Sequence, residues 1–447
     1  MAKRQRKCVT VGFIALGCPK NVVDSEKMLA EIAQSGLLIT ADPENADVVV
    51  INTCGFIEPA KTEAVETIGR AVDRKKKGAV KKVIVAGCLS QRLGQKLFNY
   101  VDGIDAVVGL GQRDSIVDII EKTLCRDEPA VYLQPGPDGC LSDTGRLLIT
   151  GQHWAYLRLS EGCNHRCSFC TIPAIRGRFR SKPKDQILAE ARELARAGVV
   201  ELNIIAQDTT YYGRDLRIKN GLSNLLKEFD KISQVVWVRL MYLSPAGIDA
   251  RLIETIADSE KIVHYVDVPI QHVNDQILKA MHRPDTKDQL GQLIERLRCA
   301  IPDIVLRTTF IVGFPGETDE QFAELLDFVK WAQFDALGCF PFYPEAGTPA
   351  AQMPGQVPDR VKQQRVEQLM LTQQQIAFAK NRKRIASELA CLVDSADAKR
   401  TGQGRFYGQA PQIDGLCLIE NCSATAGRFI RSKVVATKDY DLVVRQI

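Results

Sequence analysis

Three cysteines lie within eight residues of the chain, at Cys163, Cys167 and Cys170, with the spacing C-x3-C-x2-C. Cysteine thiolates ligate iron–sulfur clusters, which usually take four of them. Three thiolates would leave one iron of a 4Fe-4S cube open to an outside ligand, much as a catalytic zinc keeps an open position. Buried unreactive thiols, or a zinc or redox site at the C-x2-C pair, are the alternative interpretations.

The segment before these cysteines predicts where they lie in the fold. Residues 154–159 read as a β-strand, and the cysteines follow its carboxyl end. Active sites of barrels built from alternating strands and helices are formed by the loops at that end. The position therefore favours a catalytic role.

A second set of cysteines lies in the first part of the chain, where short apolar runs alternate with segments of helical spacing. This alternation predicts an open parallel sheet with helices on its faces. One cysteine follows each of the first three apolar runs, and each has a glycine beside it: Cys18 with Gly17, Cys54 with Gly55, and Cys88 with Gly87. The carboxyl ends of parallel strands share the edge where ligands bind, so we expect the three thiols to converge there. Three unrelated half-buried thiols are the alternative.

The spacing of the later three cysteines resembles that of the radical S-adenosylmethionine (SAM) superfamily. In that superfamily the amine and carboxylate of SAM chelate the open iron, and one electron cleaves the sulfonium to a 5'-deoxyadenosyl radical. The resemblance implies that Phe169 lies beside the adenine, although a core aromatic explains this residue equally well.

With its two three-cysteine groups, the chain resembles the methylthiotransferases along nearly its whole length. This resemblance implies two 4Fe-4S clusters, with SAM as both radical source and methyl donor. The radical cluster would take Cys163, Cys167 and Cys170. An auxiliary cluster, which carries or donates the sulfur, would take Cys18, Cys54 and Cys88.

Residues 16–21 (LGCPKN) and 206–211 (AQDTTY) are similar to the methylthiotransferase branch called RimO. That branch modifies the β-carbon of an aspartate in small-subunit ribosomal protein twelve, so the resemblance implies this protein as the partner, with an electron donor such as flavodoxin or ferredoxin. Two alternatives stay open: methylthiolation of tRNA, and a non-catalytic iron–sulfur protein that binds RNA or assists assembly.

After a linker at residues 134–139, six strands are predicted, which suits the partial (βα)6 barrel of the radical SAM core. They cover residues 154–159, 200–206, 235–242, 263–270, 304–312 and 335–340. Ser181 is predicted to cap a helix, and Thr318 with Gln321 forms a capping-box signature. Residues 340–348 depart from the family pattern at Phe342, Tyr343 and Ala346.

Polar residues at or within the predicted strands are candidates for binding SAM. Gln207 follows the second strand, and Arg307 lies within the fifth. The Arg307 guanidinium suits a bidentate contact with the SAM carboxylate, and a structural ion pair is an equal alternative. His272 is interpreted as a structural histidine.

The last segment, residues 388–447, contains short strand-like runs between glycines and predicts a small β-barrel. It resembles the TRAM domain, an OB-like module. Its eight basic and seven acidic residues nearly cancel, whereas RNA-binding surfaces are strongly basic. We therefore expect a protein partner, and expect that deleting the segment abolishes modification of that partner while SAM cleavage persists.

The chain of 447 residues is long enough for two or three domains. We predict an α/β multidomain protein with an N-terminal methylthiotransferase domain at 8–126, a radical SAM core at 149–386 and a TRAM domain at 388–447. The net charge of +5 is small, and no signal peptide or apolar run of membrane-spanning length is visible. A cytoplasmic location without membrane association, in which the 14 cysteines stay reduced, is expected.

Overall fold

The computed structural model describes residues 9–133, 140 and 142–447. The basic start of the chain, Cys8 and the predicted linker at 134–139 lie outside the described residues. Contacts divide the chain into two compact units. One comprises Met1–Ile149, Glu161–Asn164 and Thr171–Lys182, and the other comprises Thr150–Ser160, His165–Cys170 and Pro183–Ile447. The three-domain boundaries stay predictions.

The first part of the chain forms a parallel α/β sheet, as its alternating pattern predicts. Its elements are β1 (Thr10–Ala15), α1 (Pro19–Gln34), β2 (Leu38–Thr40), β3 (Val48–Thr53), α2 (Glu58–Lys76), β4 (Lys82–Gly87), α3 (Cys88–Leu93), β5 (Ala106–Val108), α4 (Ile116–Leu124) and β6 (Ala130–Tyr132). The strand order is β2-β1-β3-β4-β5-β6, and every neighbouring pair is parallel. The sequence did not predict the edge strands β2 and β6, which are only three residues long.

Strand β3 shows why this sheet is stable. Val49 and Ile51 pack into the core on one face, while Val48 and Val50 pack into the core on the other. A strand covered on both faces has a continuous apolar sequence rather than an alternating one, which made β3 easy to predict.

The six strands predicted for the core are all present. The chain continues with β7 (Trp154–Arg158), β8 (Ser160–Glu161), α5 (Ile172–Arg176), β9 (Arg180–Ser181), α6 (Lys184–Arg196), β10 (Glu201–Ile205), α7 (Gly221–Phe229), β11 (Trp237–Leu240), α8 (Ala250–Asp258), β12 (Ile262–Asp267), α9 (Asp275–Ala280), α10 (Lys287–Ala300), β13 (Val305–Val312), α11 (Asp319–Ala332), β14 (Ala336–Pro341) and α12 (Asp359–Lys383). The core sheet is parallel and open, in the order β14-β13-β12-β11-β10-β7.

One predicted helix start is confirmed and the other is wrong. Thr318 caps α11 in a complete capping box with Gln321. Ser181 does not cap α6, because it belongs to β9 and the helix begins at Lys184. A residue that precedes proline is pushed towards extended backbone, so Lys182, which precedes Pro183, interrupts any helix that starts at Ser181.

The C-terminal segment is a closed five-stranded barrel. Its strands are β15 (Glu388–Ala396), β16 (Gly402–Arg405), β17 (Cys417–Glu420), β18 (Phe429–Lys438) and β19 (Asp441–Gln446), in the order β15-β16-β17-β19-β18. Strand β16 was not predicted, because its residues, GQGR, include no apolar side chain. None of the described helices is long and apolar enough to span a membrane.

Buried ion pairs join this barrel to the core strands. Glu201, fully buried at the start of β10, accepts hydrogen bonds from Arg239 at 2.9 Å and from Arg405 of β16 at 2.5 Å. Without the barrel, Glu201 loses Arg405, and Arg239 loses its hydrogen bond to the carbonyl oxygen of Tyr407. Each buried polar group that loses a partner costs about 1–3 kcal/mol. Deleting residues 388–447 would therefore damage the core, and we no longer expect SAM cleavage to survive that deletion.

Candidate functional site

The cysteine loop, defined here as residues 162–170, begins with a tight turn after β8. Gly162 has a φ of 76°, and a Cβ atom there would lie 2.2 Å from the carbonyl oxygen of Arg178. Only glycine fits such a close backbone approach. The backbone N–H of Cys163 then donates to the carbonyl oxygen of Gly177 at 3.1 Å, which fixes the direction in which the loop leaves the turn.

The second half of the cysteine loop is anchored to segments that follow core strands. His165 Nε2 lies 2.6 Å from Oδ2 of Asp208, which comes after β10. Ser168 donates its hydroxyl to the carbonyl oxygen of Ala280 at 2.7 Å and its N–H to that of Met281 at 3.1 Å, both after β12. Ala350, after β14, donates its N–H to Ser168 at 2.9 Å. The loop therefore lies at the carboxyl end of the core strands, as predicted.

Phe169 packs against a small hydrophobic core beside the loop. Its neighbours are Ile277, Met281, Phe314, Phe342 and Ala350. The rings of Phe314 and Phe342 meet edge to face with centroids 5.2 Å apart, a favourable geometry for aromatic pairs. Phe342, one of the residues that depart from the family pattern, thus completes the apolar support of the cysteine loop.

Arg307 and Gln207 lie in different surroundings. Gln207 follows β10 and is next to Asp208, at the same end of the sheet as the cysteine loop.

Arg307 is the third residue of β13 and donates a hydrogen bond to Oδ1 of Asp267 at 2.8 Å. Its Nε also lies 3.4 Å from Oδ1 of Asp414. Although burial opposes the charge, the neighbours Asp267, Tyr265 and Asp414 raise the pKa of the Arg307 guanidinium above its usual value. Of its two predicted roles, the structure shows the ion pair.

His272 has the structural environment that the sequence suggested. It is fully buried, and its Nδ1 accepts a hydrogen bond from the backbone N–H of Asn274 at 3.0 Å. Burial lowers its pKa to about 3. The imidazole is therefore neutral at physiological pH.

This neutral histidine should make the protein sensitive to acid. The unfolded chain binds a proton at His272 near pH 6.5, whereas the folded chain does so only near pH 3. The contribution of the neutral His272 to the free energy of unfolding is therefore fully present above pH 6.5 and is lost as the pH falls below that value. The full effect is about 5 kcal/mol, at about 1.4 kcal/mol per pKa unit. We expect Tm between pH 6.5 and 4 to fall less steeply in His272→Asn, which keeps an acceptor for Asn274. The control His264→Asn, at a half-buried histidine, should retain the steep fall. Identical slopes for His272→Asn and the parent would contradict the assignment.

The N-terminal cysteines follow three adjacent strands. Cys18 comes after β1, Cys54 after β3, and Cys88 begins α3 directly after β4. A Cβ atom on Gly17 would lie 2.8 Å from the Cβ of Cys54, and one on Gly55 would lie 2.7 Å from the Cα of Leu89, which follows Cys88. The glycines thus let the three loops meet at one edge of the sheet, as their sequence positions predict.

A positive charge lies beside these three thiols. Arg176 donates to the Asn21 side-chain oxygen at 2.8 Å, and the Cys88 thiol donates to the same oxygen at 3.4 Å. Burial raises the pKa of Cys88 to about 12, while Arg176 acts in the opposite direction. Burial also raises the pKa of Cys54, with the charge of Cys18 adding to it. A buried cation here would offset the negative charge of thiolates that ligate a metal cluster.

Arg176, Asn21 and the pair of His165 with Asp208 were not predicted from the sequence. Asn21 is three residues after Cys18 and His165 is two residues after Cys163, so their proximity to the thiols was visible. Arg176 gave no signal, because its partners Asn21 and Asp24 are remote in sequence.

In the part of the chain that the structure describes, no group of three or more His, Cys, Asp or Glu side chains is arranged around a single metal ion. A 4Fe-4S cube does not need such an arrangement, because each thiolate binds a different iron atom. The thiols have only to surround a cluster, and soft sulfur donors are the ligands that iron–sulfur clusters prefer. The donor sets fit clusters better than a single ion.

Three family profiles match this chain. They are the radical SAM superfamily over residues 157–329, an uncharacterized protein family, UPF0004, over residues 10–109, and the TRAM domain over residues 385–447. The first match covers the cysteine loop and strands β10 to β13, the second covers strands β1 to β5, and the third covers the C-terminal barrel.

Relatives resemble the chain over almost its whole length. The ribosomal protein uS12 methylthiotransferase RimO of Geobacter sulfurreducens is 44% identical over 97% of this chain and 97% of its own. The protein of the same name from Pelotomaculum thermopropionicum is 44% identical over 97% of this chain and 98% of its own. A solved structure, the radical SAM methyltransferase TsrM of Kitasatospora setae with cobalamin and a [4Fe-4S] cluster bound, matches 77% of both chains with a TM-score of 0.55 at 16% identity, which supports the fold alone. The chain therefore belongs to the RimO family of radical SAM methylthiotransferases, enzymes that use SAM and an iron–sulfur cluster.

Proposed function

We propose that this enzyme transfers a methylthio group to the β-carbon of an aspartate in ribosomal protein uS12, using two 4Fe-4S clusters. The observation that carries the proposal is the pair of three-cysteine groups, in a chain 44% identical over 97% of its length to a relative named for this reaction. Cys163, Cys167 and Cys170 would hold the radical cluster. Cys18, Cys54 and Cys88 would hold the auxiliary cluster.

The residues around the cysteine loop prepare the radical site. A 4Fe-4S cluster with one open iron supplies the electron that cleaves SAM to a 5'-deoxyadenosyl radical. The contacts of His165 with Asp208 and of Ser168 with Ala280 hold the loop in place. Phe169 and its apolar neighbours exclude water from one side of the loop, which protects a reactive intermediate from side reactions. Gln207, at the same end of the sheet, is the candidate to contact SAM.

The auxiliary site supports sulfur transfer through its charge balance. Arg176 is buried beside Cys18, Cys54 and Cys88, and its position is fixed by Asn21 and by an ion pair with Asp24 at 3.1 Å. The cation lowers the cost of burying thiolates and of adding an anionic sulfur atom there. The 5'-deoxyadenosyl radical would take a hydrogen atom from the substrate carbon and become 5'-deoxyadenosine. The carbon radical would then bond to the sulfur, with an iron–sulfur cluster taking up the electron released. A second SAM would transfer its methyl group to that sulfur and leave as S-adenosylhomocysteine.

The partners follow from the same chemistry. We propose a flavodoxin or ferredoxin as the electron donor and the cytoplasm as the location, because reduced thiols and clusters persist in a reducing compartment. The near-neutral charge of residues 388–447 favours a protein substrate over tRNA, since nucleic-acid sites are rich in Lys and Arg.

The substrate can be identified by mass. We expect the reconstituted enzyme, incubated anaerobically with SAM and a reductant, to add one methylthio group to uS12 and none to tRNA. A uS12 variant with the target Asp replaced by Asn or Ala is the control and should gain no mass.

Competition at two salt concentrations tests the same proposal by another route. Phosphate contacts make the affinity for nucleic acid fall steeply as the salt concentration rises. The dissociation of a protein–protein complex depends less on salt. We expect added tRNA to leave uS12 modification unchanged at both salt concentrations. Formation of a methylthiolated adenosine would contradict the proposal and show that tRNA is the substrate.

A further inference from the structure

We propose that Asp414, in the C-terminal barrel, is a positioning residue for the cysteine loop of the radical site. The inference rests on the proposed cluster at Cys163, Cys167 and Cys170. It assigns the C-terminal barrel a second role besides meeting a partner, because a continuous set of hydrogen bonds and ion pairs leads from Asp414 to His165.

Asp414 ends a loop that is embedded in the core strands. This β16–β17 loop, residues 407–414, contacts side chains on three strands. The carbonyl oxygen of Tyr407 accepts from Arg239 of β11 at 2.5 Å, Gln412 accepts from Tyr156 of β7 at 3.5 Å, and Asp414 accepts from Tyr265 of β12 at 2.8 Å. Arg239 and Tyr265 are completely buried, so the loop satisfies polar groups that water does not reach.

The Asp414 carboxylate uses both oxygens. Oδ2 accepts from Tyr265 and from the backbone N–H of Ala410 at 2.9 Å, while Oδ1 lies 3.4 Å from Nε of Arg307. The side chain of Asp414 is only 6% exposed and that of Arg307 only 18%. Such a buried charge needs its partner, so the position of the Arg307 guanidinium depends on Asp414.

The next link joins Arg307 to a strained turn. Arg307 donates to Oδ1 of Asp267 at 2.8 Å, and Oδ2 of Asp267 accepts the backbone N–H of Tyr242 at 3.1 Å. Tyr242 has a φ of 59°, in the left-handed region that a bulky residue adopts only when its surroundings hold it there. Asp267 provides one of the bonds that hold this turn.

The turn at residues 241–242 supports Asp208, which anchors the cysteine loop. The carbonyl oxygen of Tyr242 accepts from the N–H of Thr209 at 2.9 Å, and the Thr209 hydroxyl donates to Met241 at 2.6 Å. Asp208, the residue before Thr209, contacts His165 at 2.6 Å. A loss at Asp414 therefore reaches His165 through Arg307, Asp267 and the turn at residues 241–242, without touching any proposed cluster ligand.

The experiment measures how fast the radical cluster loses iron. The parent protein carries Cys18, Cys54 and Cys88 replaced by Ala, so that only the cluster at the cysteine loop contributes. After anaerobic reconstitution, iron release to excess chelator is followed by absorbance, and a melting curve checks that each variant is folded. Asp414→Asn should speed iron release about threefold to tenfold, the range expected for coupling within one network.

The decisive comparison is a double-mutant cycle with His165. His165→Gln alone should speed iron release, and adding Asp414→Asn to it should produce little further change, because both act on the same anchor. Effects that multiply, or no effect of Asp414→Asn, would overturn the positioning role. Glu420→Gln, which removes an exposed ion pair with Arg445 in the same barrel, is the matched control and should leave the rate unchanged.

A milder variant covers the case in which Asp414→Asn fails to fold. Tyr265→Phe removes one hydrogen bond to Asp414 and keeps the ring in the core, so it should speed iron release by a smaller factor that also disappears with His165→Gln. An unchanged rate in this variant would likewise count against the proposal. A parent protein that binds no iron would instead refute the proposed ligands Cys163, Cys167 and Cys170, so the two failures are distinguishable.

Discussion

Replacement of Cys163, Cys167 and Cys170 by Ala should remove one of the two proposed clusters and abolish formation of 5'-deoxyadenosine. The intact protein should bind about eight irons and this variant about four, since each cube contains four. The loss of activity should be complete, because no second group of thiols follows the core strands in the described part of the chain, and SAM cleavage requires an open iron there.

Two measurements check this result, iron content and 5'-deoxyadenosine by chromatography. Cys125 and Cys299 are exposed and remote from both cysteine groups in sequence, so their double replacement by Ala is the matched control. It should retain both the iron and the activity. SAM cleavage that persists in the triple variant would show that the radical site lies elsewhere.

Replacement of Cys18, Cys54 and Cys88 by Ala should separate the two halves of the reaction. About half of the iron should be lost, while 5'-deoxyadenosine is still formed, because the cysteine loop keeps its own anchors on Asp208, Ala280 and Met281. No methylthio group should be transferred, since the sulfur source is gone.

The measurement is a single incubation in which 5'-deoxyadenosine and modified uS12 are quantified together. Arg176→Lys keeps the charge but loses the guanidinium fork, whose Nη2 donates to Asn21 and Asp24 and whose Nη1 donates to Glu161. This variant should reduce transfer without stopping SAM cleavage. Full iron content in the triple variant, or continued transfer, would mean that these thiols are structural.

The sequence predicted the parts of the fold that depend on local patterns. The buried strands β3 and β4 contain continuous apolar runs, so their existence could be predicted. The capping box at Thr318 was equally visible, because its two residues are three positions apart. The start of α6 was not, since the effect of Pro183 on the preceding residue outweighed the capping preference of Ser181.

The parts that could not be predicted are contacts between residues remote in sequence. Arg176 beside the N-terminal thiols and Asp414 beside Arg307 are ion pairs that only the folded chain brings together. For Arg307 the sequence left two roles open, because an arginine in a strand is equally suited to a ligand and to a neighbouring carboxylate. Its ion-pair partners, Asp267 and Asp414, are 40 and 107 positions away in sequence, so only the folded chain shows the pairing.

The buried pairing of Glu201 with Arg405 affects how the protein matures during synthesis. Glu201 and Arg239 belong to the core, whereas Arg405 is translated much later, in the C-terminal barrel. Before Arg405 and Tyr407 are made, Glu201 and Arg239 each lack one polar partner. A buried polar group left without its partner costs about 1–3 kcal/mol, a sizeable share of the roughly 5–15 kcal/mol that stabilises a native domain. The core strands therefore reach their final packing only after residues 388–447 have been translated. A nascent chain that stalls or is cleaved before this point should be a substrate for chaperones and proteases rather than a partly active enzyme.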